Sequence, residues 1–255
     1  MKAVILAGGL GSRISEETYL RPKPMVTVGE KPVLWHIMKK FSLHGVTDFV
    51  VCLGYKGEVI KEYFLNFRKY NSDFHTLTRS GEVEILDEDI EDWKVTLVDT
   101  GSDSNTAERL KRVRRFLGQE DFFFTYGDGL TDQNLNATAL FHASKGKTVT
   151  LTAVIPPARY GAVSIESGIV TSFSERTSAF DSLINGGFFL VNPRIFDTLS
   201  RLTNPSWELD VLPILAQQGD LAAFQHSGFW FAMDTLRDKE HLENLFLSGS
   251  APWLM

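Results

Sequence analysis

Apolar residues recur in blocks along the first half of the chain, and their spacing switches between two periods. Ala3-Val4-Ile5-Leu6 is an unbroken apolar run closed by glycine, the pattern of a buried strand over 2–6 that enters a loop over 7–24. Residues 32–44 start at Pro32, carry apolar side chains at helical spacing and stop at Gly45, which predicts a helix. Asp48-Phe49-Val50-Val51-Cys52-Leu53 predicts a second buried strand. Over 57–67 the residues Val59, Ile60, Tyr63, Phe64 and Phe67 share one helical face. A strand over 95–98 is followed by a helix from about 105, where Asn105 and Glu108 have the spacing of a capping box. Asp121-Phe122-Phe123-Phe124-Thr125-Tyr126 then reads as a strand ending at Gly127-Asp128-Gly129. Such alternation predicts an α/β fold built on a doubly wound, mostly parallel sheet.

The second half changes character. Val149–Ile155, Gly161–Ile165, Ile169–Phe173 and Gly187–Val191 are strand-like with few helices between them, so they read as antiparallel additions to the sheet. Helices resume over 193–200, 207–218 and 236 to about 247. Residues 68–92 are acidic and poorly patterned and read as an excursion from the core. The chain is expected to be one domain with that excursion and a short extension over 248–255. It shows no internal repeat and no low-complexity tract.

Composition narrows the classes. With 255 residues, 43% of them hydrophobic, the chain can bury a sizeable core. A net charge of −6 argues against a nucleic-acid protein, so an anionic ligand would need locally concentrated cations. Arg13, Lys23 and the basic run Arg109–Arg115 are the candidates. In that run Leu110, Val113 and Leu117 form an apolar stripe, which leaves most of its charges to solvent and Arg109 as the ligand candidate. The single cysteine, Cys52, lies within a strand and has no disulfide partner in the chain. No signal peptide or membrane-length apolar stretch is recognisable, and a cytoplasmic location is expected.

The candidate chemistry starts with Leu6-Ala7-Gly8-Gly9-Leu10-Gly11-Ser12-Arg13, followed by Pro22-Lys23-Pro24-Met25. Gly8, Gly9 and Gly11 let backbone approach a ligand and turn N–H groups toward phosphate, and Arg13 and Lys23 add cations. It is not the dinucleotide fingerprint, because Ile14 stands where the third glycine belongs, and no P-loop string occurs. The glycines alone also fit a structural turn; with Arg13 and Lys23 they point to a nucleoside triphosphate site. Asp128 lies between two glycines at a strand end, where open α/β sheets bind ligands, though Asp-Gly is also a common turn dipeptide. Asp234 follows the aromatic strand Gly228–Ala232 and precedes the last helix. It could instead be the helix N-cap, a role for which Thr235 with Asp238 competes. Two such carboxylates with nucleotide phosphates suit Mg²⁺. The six histidines form no zinc motif.

The glycine-loop string with Pro22-Lys23-Pro24 resembles the signature of the sugar-phosphate nucleotidylyltransferases, and the two aspartates complete a likeness that covers nearly the whole chain. Further strings resemble the branch that couples CTP to α-D-glucose 1-phosphate. They are Ser15-Glu16-Glu17-Thr18, Leu34-Trp35-His36-Ile37-Met38, Gly54-Tyr55-Lys56-Gly57, Thr96-Leu97-Val98-Asp99-Thr100-Gly101, Phe124-Thr125-Tyr126-Gly127-Asp128-Gly129, Asn185-Gly186-Gly187-Phe188-Phe189 and Met233-Asp234-Thr235-Leu236-Arg237-Asp238-Lys239. The resemblance implies a Rossmann-like nucleotide-diphospho-sugar transferase fold. It also implies a reaction giving CDP-glucose and pyrophosphate, as a source of bacterial surface-polysaccharide (O-antigen) precursors. It implies that Leu6, Ala7, Gly8, Gly9, Gly11, Ser12 and Arg13 wrap the nucleotide. Arg13 would take charge on the leaving pyrophosphate and Lys23 charge at the α-phosphate. Ser104, Thr106, Arg109, Gly127 and Asp128 would line the nucleotide side. Asp128 and Asp234 would hold Mg²⁺, and Tyr126, Glu175, Arg176, Asn185, Gly186 and Trp230 would face the sugar phosphate.

Two positions depart from that family's pattern. Glu175-Arg176-Thr177 stands in place of Glu-Lys-Pro, and a guanidinium can bind the sugar phosphate with a planar fork instead of a point charge. Thr106-Ala107-Glu108-Arg109 stands in place of Thr-Gly-Gly-Arg, which puts an anion near the nucleotide unless Glu108 caps the helix. The alternatives are a nucleotidylyltransferase for another nucleotide and sugar phosphate, a glycosyltransferase, and an inactive nucleotide-sugar-binding homologue. A homo-oligomer is expected, with residues 68–92 and 251–255 as candidate contacts.

Overall fold

The computed structural model describes residues 1–11, 14–86, 90–157, 162–166, 169–174 and 183–255. Seven strands form the central sheet: β1 Lys2–Leu6, β2 Asp48–Leu53, β3 Lys94–Asp99, β4 Phe122–Tyr126, β5 Val149–Val154, β6 Ile184–Val191 and β7 Leu221–His226. Their order across the sheet is β7-β5-β6-β4-β1-β2-β3. β4, β1, β2 and β3 pair in parallel, with Leu6 opposite Cys52 on one side and Tyr126 on the other. β6 runs antiparallel to both β4 and β5, and β7 pairs in parallel with β5. Only β6 therefore runs against the other six.

The expectation for the second half needs correction in two places. β5 pairs antiparallel with β6 yet points the same way as β1. The strands Ala162–Glu166 and Ile169–Ser174 do not join the sheet; they pair with each other as a separate hairpin. The excursion holds a second hairpin, Phe74–Leu77 with Glu82–Ile85, whose side chains are exposed apart from the half-exposed Ile85.

Alternation along the strands sorts the core onto two faces. Ala3, Ile5, Phe49, Val51 and Phe123 pack with the helix Val33–Ser42 and the segment around Trp253. Val4, Leu6, Val50, Cys52, Phe122 and Phe124 pack on the other face with Leu110, Phe196 and Trp207. Strands covered on both faces are apolar throughout, which is why these runs do not alternate with polar residues. Leu110, Val113 and Leu117 of the basic run are all buried.

Three features of the fold build the site. The chain leaves β1, forms β2 and β3 on one side, and returns to β4 on the other. The crevice at this reversal lies beyond the carboxyl ends of β1 and β4, where such sheets bind ligands. The short strand Gly129–Thr131 pairs with Trp230–Ala232, with Gly129 opposite Ala232, so Asp128 and Asp234 meet although far apart in sequence. The ring of Trp207, fully buried, meets Phe124 edge-on at 4.9 Å and Phe189 at 5.5 Å between centroids. Burial of a ring this size contributes about 1.5–3 kcal/mol. It pins the π-helical turn Trp207–Val211 beside β4. Among the described residues no helix is long and apolar enough to cross a membrane.

Candidate active site

A cleft of about 560 Å³ opens at the reversal point. Leu6, Ala7, Gly8, Gly9 and Gly11 line it from the first loop, with Lys23 and Pro24 from the turn Lys23–Met25 and Gly127 and Asp128 from beyond β4. Ser104, Thr106, Arg109, Tyr126 and Asp234 also reach it. Gly127 is required by space, since a Cβ there would lie 2.6 Å from the Leu6 carbonyl oxygen and 2.7 Å from Pro24 Cγ.

At one end Lys23 Nζ lies 2.6 Å from Asp128 Oδ2 and 2.8 Å from Asp234 Oδ1. Burial disfavours the Lys23 ammonium, but the two carboxylates outweigh that cost and raise its pKa above the ordinary lysine value. Asp234 is not the helix cap. Thr235 caps the helix Leu236–Leu247 in a reciprocal box with Asp238, and Asp238 Oδ2 also accepts from the Asp234 N–H at 2.9 Å. Asp234 is thereby aimed into the cleft. Two carboxylates that share one cationic partner are a donor set that fits a divalent metal. The described residues hold no group of three or more acidic, histidine or cysteine side chains able to cage one. That matches a cation completed by substrate phosphates, as Mg²⁺ usually is.

Arg109 lines the cleft, but its side chain turns onto the protein. Its side chain is buried and its guanidinium is spent on protein acceptors. Nη1 donates to the Leu53 carbonyl at 3.0 Å and to Thr100 Oγ1 at 2.8 Å, and Nη2 donates to the carbonyls of Gly8 at 3.1 Å and Ser102 at 3.3 Å. The Tyr55 N–H also donates to the Gly8 carbonyl. Arg109 thus braces the glycine loop from behind, and a Cβ on Gly8 would overlap it. Asn105 and Glu108 form no capping box. The Pro205 carbonyl accepts the Ala107 and Glu108 N–H groups, Asn105 bonds Asn204, and Glu108 pairs with Arg112 at 3.0 Å.

Tyr126 does not present a free hydroxyl to a sugar; it donates to Glu208. Its ring packs under Gly187, where a Cβ would lie 2.5 Å from Tyr126 Cδ2. Asn185, Gly186 and Trp230 come together beside it: Asn185 Oδ1 accepts from the Gly187 N–H at 2.9 Å, and Trp230 Nε1 donates to the Gly186 carbonyl at 2.6 Å. Ser12, Arg13, Glu175 and Arg176 lie outside the described residues. Sequence reasoning missed Glu208 and Ser206, which also line the cleft. No local motif marks them. Only the packing of Trp207 brings them to β4.

Residues 2–238 match the family described as nucleotidyl transferase. The chain belongs to that family. This nucleotidyl transferase is 52% identical over 254 residues to the glucose-1-phosphate cytidylyltransferase of Salmonella typhi, covering 99% of this chain and 98% of that one. It is 30% identical over 263 residues to the mannose-1-phosphate guanyltransferase of Kluyveromyces lactis, covering 100% of this chain and 65% of the relative. Among solved structures, a UDP-glucose pyrophosphorylase complexed with UDP-glucose superposes with a TM-score of 0.70 at 17% identity, covering 97% of this chain and 98% of that one. HddC from Yersinia pseudotuberculosis superposes with a TM-score of 0.70 at 22% identity, covering 96% and 99%. At those identities the structures establish the nucleotidyltransferase fold.

Proposed function

We propose that this nucleotidyltransferase moves a cytidylyl group from CTP to α-D-glucose 1-phosphate, giving CDP-glucose and pyrophosphate. The observation that carries the reading is the convergence of Lys23, Asp128 and Asp234 at the mouth of the glycine loop. It occurs in a chain 52% identical along nearly its whole length to a glucose-1-phosphate cytidylyltransferase. Glu108, whose carboxylate faces Arg112 and Lys111, adds no anion to the cleft wall and does not oppose CTP.

The attacking phosphate oxygen is already ionised at neutral pH, so no side chain must act as nucleophile. The barrier comes from bringing one anion in line with another, and catalysis of such transfers is mostly positioning and charge stabilisation. Lys23, kept protonated by its neighbours, is placed to meet phosphate oxygens. Arg109 and Tyr55 hold the Gly8 carbonyl back, the arrangement a loop needs for its N–H groups to meet a triphosphate. Asp128 and Asp234 would hold Mg²⁺, which supplies further neutralisation of phosphate charge. Arg13 is assigned to the pyrophosphate, and Glu175, Arg176, Asn185, Gly186 and Trp230 to the sugar phosphate. Arg176→Ala should raise KM for glucose 1-phosphate and leave that for CTP nearly unchanged. The reading includes a cytoplasmic enzyme, supported by a lone buried thiol at Cys52. It also includes a homo-oligomer, supported by exposed Tyr70, Phe74 and Leu77 on the excursion; a monomeric mass in light scattering would remove that part.

Pyrophosphate release from each of the four ribonucleotides with glucose 1-phosphate tests the proposal. CTP should be turned over fastest and chelator should abolish the signal. Faster turnover of another nucleotide, or none with any, overturns it.

A further inference from the structure

The cleft wall carries a further charged side chain, Glu208, outside the Lys23–Asp128–Asp234 cluster. Glu208 Oε1 accepts the Tyr126 hydroxyl, and Oε2 accepts the hydroxyls of Thr106 at 2.8 Å and Ser206 at 2.9 Å. These donors come from three segments: the end of β4, the start of the helix Thr106–Arg112, and the residue capping the turn Trp207–Val211. Each is committed. Thr106 Oγ1 itself accepts the Trp207 N–H at 2.7 Å, so its proton can only point at the carboxylate. The Tyr126 pKa is raised by burial first and by the Glu208 charge next, which keeps its proton in place. Among the described residues no lysine, arginine or histidine pairs with Glu208, so three neutral dipoles hold a full negative charge in a fixed orientation.

A carboxylate has room for about four hydrogen bonds, and three are taken, two of them at Oε2. The open capacity is on Oε1, and Glu208 lines the cleft. Phosphates would be repelled there and belong at the Lys23 end. A neutral group of the nucleotide that meets Glu208 there must donate to it. Resting on the nucleotidyl-transfer reading of this cleft, we propose that Glu208 is a specificity-determining residue that accepts a hydrogen bond from a neutral donor of the nucleoside. A ribose hydroxyl and the exocyclic amine of cytosine share that chemistry; uracil has a carbonyl in place of the amine and keeps only its ring N3–H as a base donor. Tyr126 is the positioning residue that orients the carboxylate.

Calorimetric titration of CTP, 2′-deoxy-CTP and UTP into the wild type and into Glu208→Gln tests this without turnover. The amide keeps the size of the side chain and loses the charge. It should weaken CTP binding about tenfold, the usual difference between a charged and a neutral acceptor. The preference of CTP over one analogue should collapse: over 2′-deoxy-CTP if the donor is the ribose hydroxyl, over UTP if it is the amine. Tyr126→Phe should move the same ratio in the same direction by less. Unchanged ratios for both analogues in folded Glu208→Gln overturn the proposal. Absence of pyrophosphate release by the wild type would sink the reaction reading and leave these binding ratios fully readable.

Discussion

The two ends of the cleft hold their charges in opposite ways. At the phosphate end Lys23, Asp128 and Asp234 touch one another directly, and the partners are exchangeable because each could instead meet a ligand charge. At the end assigned above to the nucleoside, no opposite charges touch among the described residues. Arg109 is enclosed by carbonyls and a hydroxyl, and Glu208 by three hydroxyls. A mobile charge pair suits a site that must stabilise charge as it develops, whereas charges locked by dipoles suit a site that must keep one shape. Loss of a residue at the first end should therefore appear in kcat, and at the second in binding and stability.

The widest separation should come from Lys23. Lys23→Ala should lower kcat roughly 10²–10³-fold, with a smaller change in KM for CTP, because its charge is needed most in the transition state. Steady-state kinetics with near-normal kcat would make it a binding lysine and erase the contrast.

A second effect at the same end concerns the carboxylates. The ammonium and a divalent cation compete for the same two oxygens. Lys23→Met should then bind Mn²⁺ about tenfold more tightly without nucleotide, since like carboxylates left facing each other favour a new cation. Paramagnetic resonance of free Mn²⁺ reads this directly. Equal affinity in the two proteins would mean that the lysine does not guard the pair.

Arg109→Met should give the opposite signature. It removes one buried hydrogen bond each from the Leu53 and Gly8 carbonyls and the Thr100 hydroxyl, which keep their other partners, a loss of roughly 1–3 kcal/mol. KM for CTP should rise with the loosened loop while kcat changes little. Arg109→Lys should not rescue, since a point charge cannot span acceptors on several sides. A melting temperature unchanged within a degree would show that the brace carries no load.

How far each end was legible follows from this difference. The phosphate end could be read along the chain because its residues sit in short local strings: Lys23 in Pro22-Lys23-Pro24, Asp128 between Gly127 and Gly129, Asp234 between an aromatic strand and the last helix. The nucleoside end is assembled from side chains that are unremarkable locally. Glu208 needs Trp207 seated on Phe124, and Arg109 turns inward only because the loops after β1 and β2 pass beside it. The same distinction holds for the fold. Apolar runs such as Ala3–Leu6 announce buried strands, but the amphipathic edge strand Leu221–His226 is weakly patterned and carried no strand expectation. The helix Leu135–Lys145 was also not anticipated, although Asn134 caps it through the Ala137 N–H and Gly146 ends it in a left-handed turn. Direction in the second half was read from the lack of intervening helices, which holds for β6 but not for β5, since a strand's apolar pattern is the same whichever way it runs.

The smallest effect is expected from pH, and it should reach the phosphate end first. His36 is fully buried under the turn that follows Lys23–Met25. Trp253 Nε1 donates to its Nδ1 at 3.1 Å, so Nδ1 carries no proton and the Nε2–H donates to the Val28 carbonyl at 2.8 Å. Burial pushes the His36 pKa below 6.5, and the Lys31 charge pushes the same way; the Val28 hydrogen bond and Glu243 oppose them without prevailing. The unfolded chain takes up this proton near pH 6.5 and the folded one only at lower pH. Stability is therefore fully present above that pH and is lost as the pH falls below it. Between pH 7.5 and 5.5 the melting temperature should drop by about 2–4 °C for each kcal/mol lost. His44 and His142 shift downward as well, also through burial, so global melting sums all three. Hydrogen exchange separates them: peptides over 26–33 should lose protection before those over 104–109. Simultaneous loss in both segments would mean that His36 does not tie the phosphate end to pH, and that the two ends of the cleft, unlike in their chemistry, share one stability.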